Sequence, residues 1–208
     1  MQALKPIVLL VAALAPGCGM GFPPGDAPAP GALPTEESSL LVPPGYGTLL
    51  QDQISLQIQA GDLQIKVTPL AEWVIRLAAP DTYARLRGLA ETHGARAARS
   101  ASTTEPSLFL VSLFSYRPDV IYEPEDLLLV NRGLRLRPLG IAPISPSWGT
   151  HRLGQQEARM AIYAFEDGID LEADLAVEYQ DLRNEMWRER VLPLLQAERA
   201  KARARAGG

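Results

Sequence analysis

Two short runs of alternating apolar and polar residues constrain the fold of this 208-residue chain most strongly. Residues 54–59 alternate in this way, and residues 63–67 repeat the pattern after the turn signal Ala60-Gly61-Asp62. A period of two residues is typical of a β-strand that buries one face. The two runs therefore predict two strands joined as a hairpin, and they place the start of the ordered fold at Ile54.

Further strand signals follow along the chain. Residues 107–115 are apolar on both faces, which predicts a central strand covered on both sides. Asn131-Arg132-Gly133 separates two apolar runs and predicts a three-residue hairpin loop. Residues 157–165 alternate again, and residues 174–179 close the series. About seven short strands with turns between them predict an immunoglobulin-like antiparallel β-sandwich over residues 51–180.

Helical periodicity interrupts this strand series and follows it. Apolar residues three and four apart predict a helical insertion over residues 70–92, and the small, polar residues 94–106 predict a loop. Residues 181–208 predict a C-terminal helix with a basic tail, which Pro193 kinks or restarts. The predicted buried face of this helix consists of Trp187, Val191, Leu194 and Leu195.

The N-terminal residues have the organisation of an export signal. Lys5 precedes an apolar stretch over residues 6–15, and small residues follow up to Cys18. A membrane-spanning helix needs about 20 apolar residues, roughly twice the length of this stretch. Residues 1–18 therefore predict a cleaved signal peptide rather than a membrane span.

Ala15-Pro16-Gly17-Cys18 resembles the box that ends the signal of bacterial lipoproteins, and the resemblance covers only the first 18 residues. It implies that Cys18 carries a lipid anchor. Gly19 in place of aspartate implies transfer to the outer membrane, on its periplasmic face. Two alternatives stay open: ordinary secretory cleavage after Ala15 or Ala29, and a cytosolic protein with an unmodified cysteine.

Residues 19–50 are crowded with proline and glycine, and no helical or strand period runs through them. Such a segment samples extended and coil states because it buries too little apolar surface to offset its ordering entropy. We expect it to act as a tether that holds the folded domain away from the membrane. A spacer under no functional demand fits the same composition.

Composition excludes several classes of function. Hydrophobic residues make up 47% of the chain and charged residues 21%, as in globular proteins. A net charge of −4 argues against nucleic acid as a partner. Cys18 is the only cysteine, so the fold has no internal disulfide and no thiolate metal site. With two histidines far apart in sequence, we expect no metal and no cofactor.

Each candidate site has a structural alternative. His151 could act as a base beside a nearby serine and Glu157, but no nucleophile-elbow motif surrounds it. In the alternative, Trp148 covers one end of the sandwich and His151 hydrogen-bonds within its loop. His93, next to Gly94, is expected to cap the end of the helical insertion rather than bind metal.

Two charged segments complete the candidates. The acidic residues of 166–174 could bind calcium, although their spacing is not that of the helix-loop-helix calcium loop, and a solvated turn between two strands is the favoured interpretation. The basic tail, residues 198–205, could contact anionic lipid or could complement the dipole of its own helix.

The sequence therefore predicts an envelope-anchored lipoprotein that is not an enzyme. Its partners are expected to be the membrane, through the N-terminal lipid, and an envelope protein or polymer. The alternative is an envelope hydrolase or a small-ligand-binding protein with a cleft between the helical insertion and the sheet. Its lining residues would be Trp73, Tyr83, Trp148 and His151.

Overall fold

The structure is a computed structural model that describes residues 41–207. Its strands are β1 Leu56–Ala60, β2 Leu63–Pro69, β3 Ser107–Ser115, β4 Val120–Ile121, β5 Leu127–Asn131, β6 Leu134–Leu136, β7 Gly140–Pro143, β8 Arg152–Leu153, β9 Ala158–Phe165, β10 Leu175–Tyr179 and β11 Leu182–Asn184. Its helices are α1 Glu72–Ile75, α2 Pro80–Ala101 and α3 Leu192–Ala206. The protein is thus mainly β, with a C-terminal helix, as predicted at this level.

The strands form three antiparallel sheets. The largest has five strands in the order β1-β2-β3-β9-β7, and the second has four in the order β11-β10-β5-β6. Strands β4 and β8 form a short third sheet. Apolar residues from the two larger sheets belong to one hydrophobic core cluster. Burial of this shared apolar surface is the main favourable contribution to folding.

Two hairpins test the turn predictions. Strands β1 and β2 pair from Leu56 with Val67 to Ala60 with Leu63, which confirms the first hairpin. In the second, Asn131 pairs with Leu134, so the loop contains only Arg132 and Gly133. Both loop residues have positive φ, 50° and 77°, as the tightest hairpin turns require. The prediction of a three-residue loop is therefore wrong, because Asn131 belongs to the strand.

Strand β3 lies in the middle of the five-stranded sheet and is covered on both faces, as predicted. Val111 and Leu113 line an interior space together with Leu127 of β5 and Tyr179 of β10. On the opposite face α2 crosses the sheet. Gly94 permits this close packing, since a Cβ built there would lie 3.0 Å from Cδ1 of Leu108.

Helix α2 is longer than the sequence pattern predicts. It ends at Ala101 rather than at residue 92, so the prediction of a loop from residue 94 is wrong up to that point. Residues 95–99 are three alanines and two arginines, and both residue types are strong helix formers. Their helical propensity, together with burial of Ala97, extends the helix past Gly94.

The C-terminal segment begins with a strand and continues as a helix. Leu182–Asn184 forms β11, and a π-helical turn over Trp187–Val191 leads directly into α3. Pro193 lies in the first turn of α3, which agrees with the predicted restart. Leu194 is 36% exposed, so it does not belong to the buried face as predicted. The change from π-helical to α-helical spacing turns Leu192 inward instead.

The described part of the predicted tether is docked on the fold. Residues 19–40 lie outside the described residues, but Val42 and Leu49 are buried. Leu49 forms a parallel bridge with Ala78, and the backbone N–H and hydroxyl of Thr48 donate to Glu198 of α3 at 3.0 and 2.9 Å. The contacts of the folded body therefore begin before residue 51. No helix within residues 41–207 has the length and apolarity to cross a bilayer.

Candidate functional site

The loop before β8 places Trp148 in the core. The side chain is 4% exposed, and its ring lies 5.4 Å from Tyr122 and 6.2 Å from Tyr163, measured between ring centroids. The Tyr122 hydroxyl donates to the Trp148 carbonyl at 2.6 Å. Trp148 therefore fills space that the hypothesis of a binding cleft would leave open, and it packs in the core against Tyr122 and Tyr163.

His151 lies at the surface end of the same loop. Its backbone adopts a positive φ of 53°, and its carbonyl accepts the Tyr122 N–H at 3.0 Å. In the His151 side chain, Nδ1 lies 3.6 Å from Oε2 of Glu123. The nearest carboxylate partner of His151 is therefore Glu123, which sequence reasoning did not associate with it.

The structure does not bring His151, a serine and Glu157 together. The Ser145 hydroxyl accepts the backbone N–H of Met160 at 2.9 Å. Glu157 accepts the Gly154 N–H at 2.6 Å and Nε of Arg159 at 2.7 Å. Within residues 41–207, no hydrogen bond joins the His151 ring to a serine. This loop therefore lacks the histidine–serine contact through which a histidine base activates a serine nucleophile.

Arg159 organises this loop, and sequence reasoning missed it. The residue is 6% exposed and lies at the start of β9. Its guanidinium donates to Glu157, to the Ser147 carbonyl, and to the Thr150 hydroxyl at 2.5 Å. The hydrogen bond from Arg159, followed by that from the Gly154 N–H, lowers the pKa of the Glu157 carboxyl. A charge buried with this many partners fixes the loop conformation.

A signal for Arg159 was present in the sequence. The alternation of residues 157–165 puts Arg159 on the same strand face as Ala161 and Tyr163. A lone charged residue on an apolar face needs a partner of opposite charge, because burying an unpaired charge is costly. That partner, Glu157, lies two residues away on the same face.

The acidic turn over residues 166–174 is held by arginines and by one asparagine. Arg132 pairs with Asp170, Arg188 with Asp174 at 3.0 Å, and Arg199 with Glu172 at 2.7 Å. Asn131 donates to the Asp170 and Asp174 carbonyls and accepts the Asp170 N–H. Three of the five carboxylates of the turn are thus paired with arginines, and no group of three or more residues fit to hold a metal ion occurs among residues 41–207.

Asp170 makes the stability of this turn dependent on pH. The backbone N–H of Glu172, and after it the guanidinium of Arg132, lower the pKa of Asp170 below its ordinary value of 3.8. A carboxyl with a depressed folded pKa stabilises the fold above its unfolded pKa, and the contribution is lost as the pH falls through the folded value.

We therefore expect Asp170→Asn to flatten the acid limb of the stability profile. Asparagine still offers an oxygen to the Glu172 N–H but does not titrate. Urea unfolding of both proteins from neutral pH to below about pH 4 should show a shallower loss of unfolding free energy in the variant. Two profiles that stay parallel below that pH would contradict this role for Asp170.

The other two residues of the predicted cleft, Trp73 and Tyr83, contact different residues from those that surround Trp148 and His151. Trp73 stacks under the Arg199 guanidinium at 4.5 Å, and the Tyr83 hydroxyl donates to Glu72 at 2.9 Å. These partners differ from those of Trp148 and His151. A groove of about 220 Å³ lies near α1, lined mainly by apolar residues of β3 and of the segment after β9, including Leu108 and Leu171. Its volume is below the usual range for ligand pockets, about 300–1,000 Å³.

Two further predictions concern charged positions on helices. His93 lies within α2 rather than at its end, so the capping role is wrong; its Nδ1 is 3.3 Å from the Arg96 guanidinium. In the basic tail, Arg205 pairs with the buried Glu198, and Arg199 pairs with Glu172. Both arginines thus contribute to the fold.

The predicted lipidation residue, Cys18, lies outside the described residues. Among residues 41–207, the geometry offers a structural loop around Arg159 and an ion-paired acidic turn. Comparison with known proteins adds no relative to this description: no protein-family model, no curated protein and no solved structure matches the chain.

Proposed function

We propose that this chain is a bacterial envelope lipoprotein, anchored by a lipid on Cys18 at the periplasmic face of the outer membrane. The observation that carries the proposal is the short apolar leader that ends in Gly17-Cys18. The single cysteine of the chain stands at the position that the lipoprotein class modifies. The segment after it, with its many prolines and glycines, gives the folded body reach from the bilayer.

The folded body acts, in this proposal, as a non-enzymatic interaction or structural module for an envelope protein or polymer. Two contacts support this assignment. Glu157 is committed to Arg159, and Ser145 accepts a backbone N–H instead of facing His151. The polar groups of the loop thus serve its own conformation, and fold alone does not assign an activity.

We further propose that the two larger sheets form a sandwich of immunoglobulin-like plan. Cross-sheet hydrogen bonds support this arrangement. The Asn184 side chain of β11 donates to the Gln57 carbonyl of β1 at 2.6 Å, and the Tyr163 hydroxyl of β9 donates to the Pro124 carbonyl before β5 at 2.9 Å. Face-to-face packing of antiparallel sheets defines this architecture.

Replacing Cys18 with serine tests the anchor. We expect the wild-type chain to incorporate a palmitate probe and to fractionate with membranes, and Cys18→Ser to lose both properties because serine cannot form the thioether. Gly21→Ser is the matched control, since it introduces the same residue three positions later and should keep both. Probe incorporation by Cys18→Ser, or a wild-type protein found in the cytoplasm with its leader intact, would overturn the proposal.

A further inference from the structure

Helix α2 carries three arginines along one exposed face. Arg85, Arg96 and Arg99 lie within an arc of about 60° around the helix axis, given a turn of 100° per residue. All three are exposed, whereas the buried face of α2 consists of Tyr83, Leu86, Gly94 and Ala97. The three arginine positions thus lie on the side of α2 opposite its buried face, where Arg85 also donates to the Gln51 side chain at 2.7 Å.

A fourth exposed arginine lies close in sequence to the strand that packs beside the last turns of this helix. Arg96 donates to the Pro143 carbonyl, which places this part of α2 along β7, an edge strand. Gly140, the first residue of β7, abuts the backbone of Ala101, since a Cβ built there would lie 2.5 Å from its nitrogen. Arg137 precedes Gly140 by three residues, a span of at most about 11 Å. We call Arg85, Arg96, Arg99 and Arg137 the arginine face.

Most of the other described arginines pair with a carboxylate, whereas the members of the arginine face, like Arg190, do not. Arg87 pairs with Glu91 on the same helix, whereas no ion pair joins any member of the arginine face to an acid within residues 41–207. The acid of α2 on this side is Asp81, which lies one turn before Arg85 and about 22 Å along the helix axis from Arg96. Uncompensated like charges three residues apart, such as Arg96 and Arg99, repel each other and cost stability.

An exposed apolar side chain adjoins this charge. Leu139 lies between Arg137 and Gly140 and is 50% exposed. Segments that rest on membrane surfaces combine basic residues, which attract anionic headgroups, with apolar side chains that enter the interface. Guanidinium groups also bind phosphate oxygens in bidentate geometry. The arginine face and Leu139 together present this combination.

We propose that the arginine face rests on the anionic phospholipid headgroups of a membrane. Charge complementarity supports this contact: the whole chain has a net charge of −4, so the positive potential is local to this surface. The inference rests on the proposed anchoring, which keeps the domain near a bilayer. Contact through α2 orients the domain against that bilayer and leaves the four-stranded sheet available to other partners.

The test measures binding of the full chain carrying Cys18→Ser to vesicles of phosphatidylcholine with and without phosphatidylglycerol. Arg96→Gln with Arg99→Gln removes two charges from the arginine face. Arg190→Gln with Lys201→Gln is the matched control: it removes two exposed cations that also lack an ion pair within the described residues, so both variants change the net charge equally. The leader is present in all three proteins and contributes equally.

We expect cosedimentation with phosphatidylglycerol vesicles to fall about 30-fold for the Arg96 and Arg99 variant, at about a fivefold loss per arginine. The control should keep its binding, and added salt should weaken binding of the parent. Equal losses in both variants, unchanged binding of the test variant, or equal binding to phosphatidylcholine alone would each overturn the proposal. Because the Cys18→Ser chain used here lacks the thiol that would carry the lipid, the outcome is independent of the Cys18 fractionation test.

Discussion

Replacing Trp187 with alanine lowers the free energy of unfolding by about 3–5 kcal/mol, the usual cost of removing a large buried aromatic side chain. Trp187 is fully buried at the start of the helical C-terminal segment. Its indole Nε1 donates to the Leu171 carbonyl at 2.9 Å, which ties this segment to the acidic turn. Alanine removes both the packing and the hydrogen bond, so α3 loses its main attachment.

Urea unfolding followed by circular dichroism measures this change. Trp187→Phe separates the two contributions, because it keeps much of the apolar volume and loses the hydrogen bond; we expect a loss of about 1–3 kcal/mol. Arg188→Ala, next in the chain and exposed, serves as the control and should change stability by less than about 1 kcal/mol. A Trp187→Ala protein as stable as the Arg188 variant would show that this tryptophan does not hold the segment.

Gly140→Ala has the second large expected effect, a loss of about 2–3 kcal/mol of unfolding free energy. The added Cβ would lie 2.5 Å from the Ala101 nitrogen and 2.8 Å from the Ser100 carbonyl carbon. These are backbone atoms, which cannot turn away as a side chain can. Either α2 or the start of β7 must shift, and packing is lost on the face of the five-stranded sheet that α2 covers.

Gly88→Ala is the matched control in the same region. A Cβ at Gly88 meets no atom within 4 Å, so alanine there should raise the unfolding free energy by about 0.5–1 kcal/mol through helix propensity alone. The two variants make the same chemical change with opposite expected signs. Destabilisation of similar size in both would show that the close contact at Gly140 is not the cause.

Much of the strand content could be predicted because period-two alternation reports burial directly. Strand β3 and the first hairpin formed where the pattern placed them. The pairing order of the sheets could not be obtained in this way, since alternation tells which face of a strand is buried and not which strand lies beside it. The five-strand order β1-β2-β3-β9-β7 depends on contacts between distant parts of the chain.

Helix α2 extends beyond its predicted end because glycine and other small residues, which are typical of loops, also occur where a helix packs closely. Gly94 is instead required where the helix crosses Leu108, and Ala97 is buried for the same reason. Small residues at a close crossing and small residues in a loop have similar composition. The tertiary contact that distinguishes them is absent from local sequence.

The candidate site could be predicted only in part. The sequence identified Trp148, His151 and the acidic turn, but it associated His151 with Glu157 and a serine, and it assigned no partners to the other two. The structure supplies those partners: Tyr122 and Glu123 from the segment before β5, and Arg159 from β9. Arg132 of the β5–β6 loop and two arginines of the C-terminal helical segment pair with three carboxylates of the turn. Charge pairing across such distances leaves no local pattern.

The docking of residues 42–49 determines how a mechanical pull from the N-terminal side enters the domain. Tension applied at Leu41 first meets the hydrogen bond from Arg76 to the Val42 carbonyl, then the bonds from Thr48 to Glu198 of α3, and then the backbone bonds between Leu49 and residues 77 and 79. The two ends of the domain thus resist such a force together. Strain would reach the sheets only after the first and last segments had separated, which shields the central strands from such a pull.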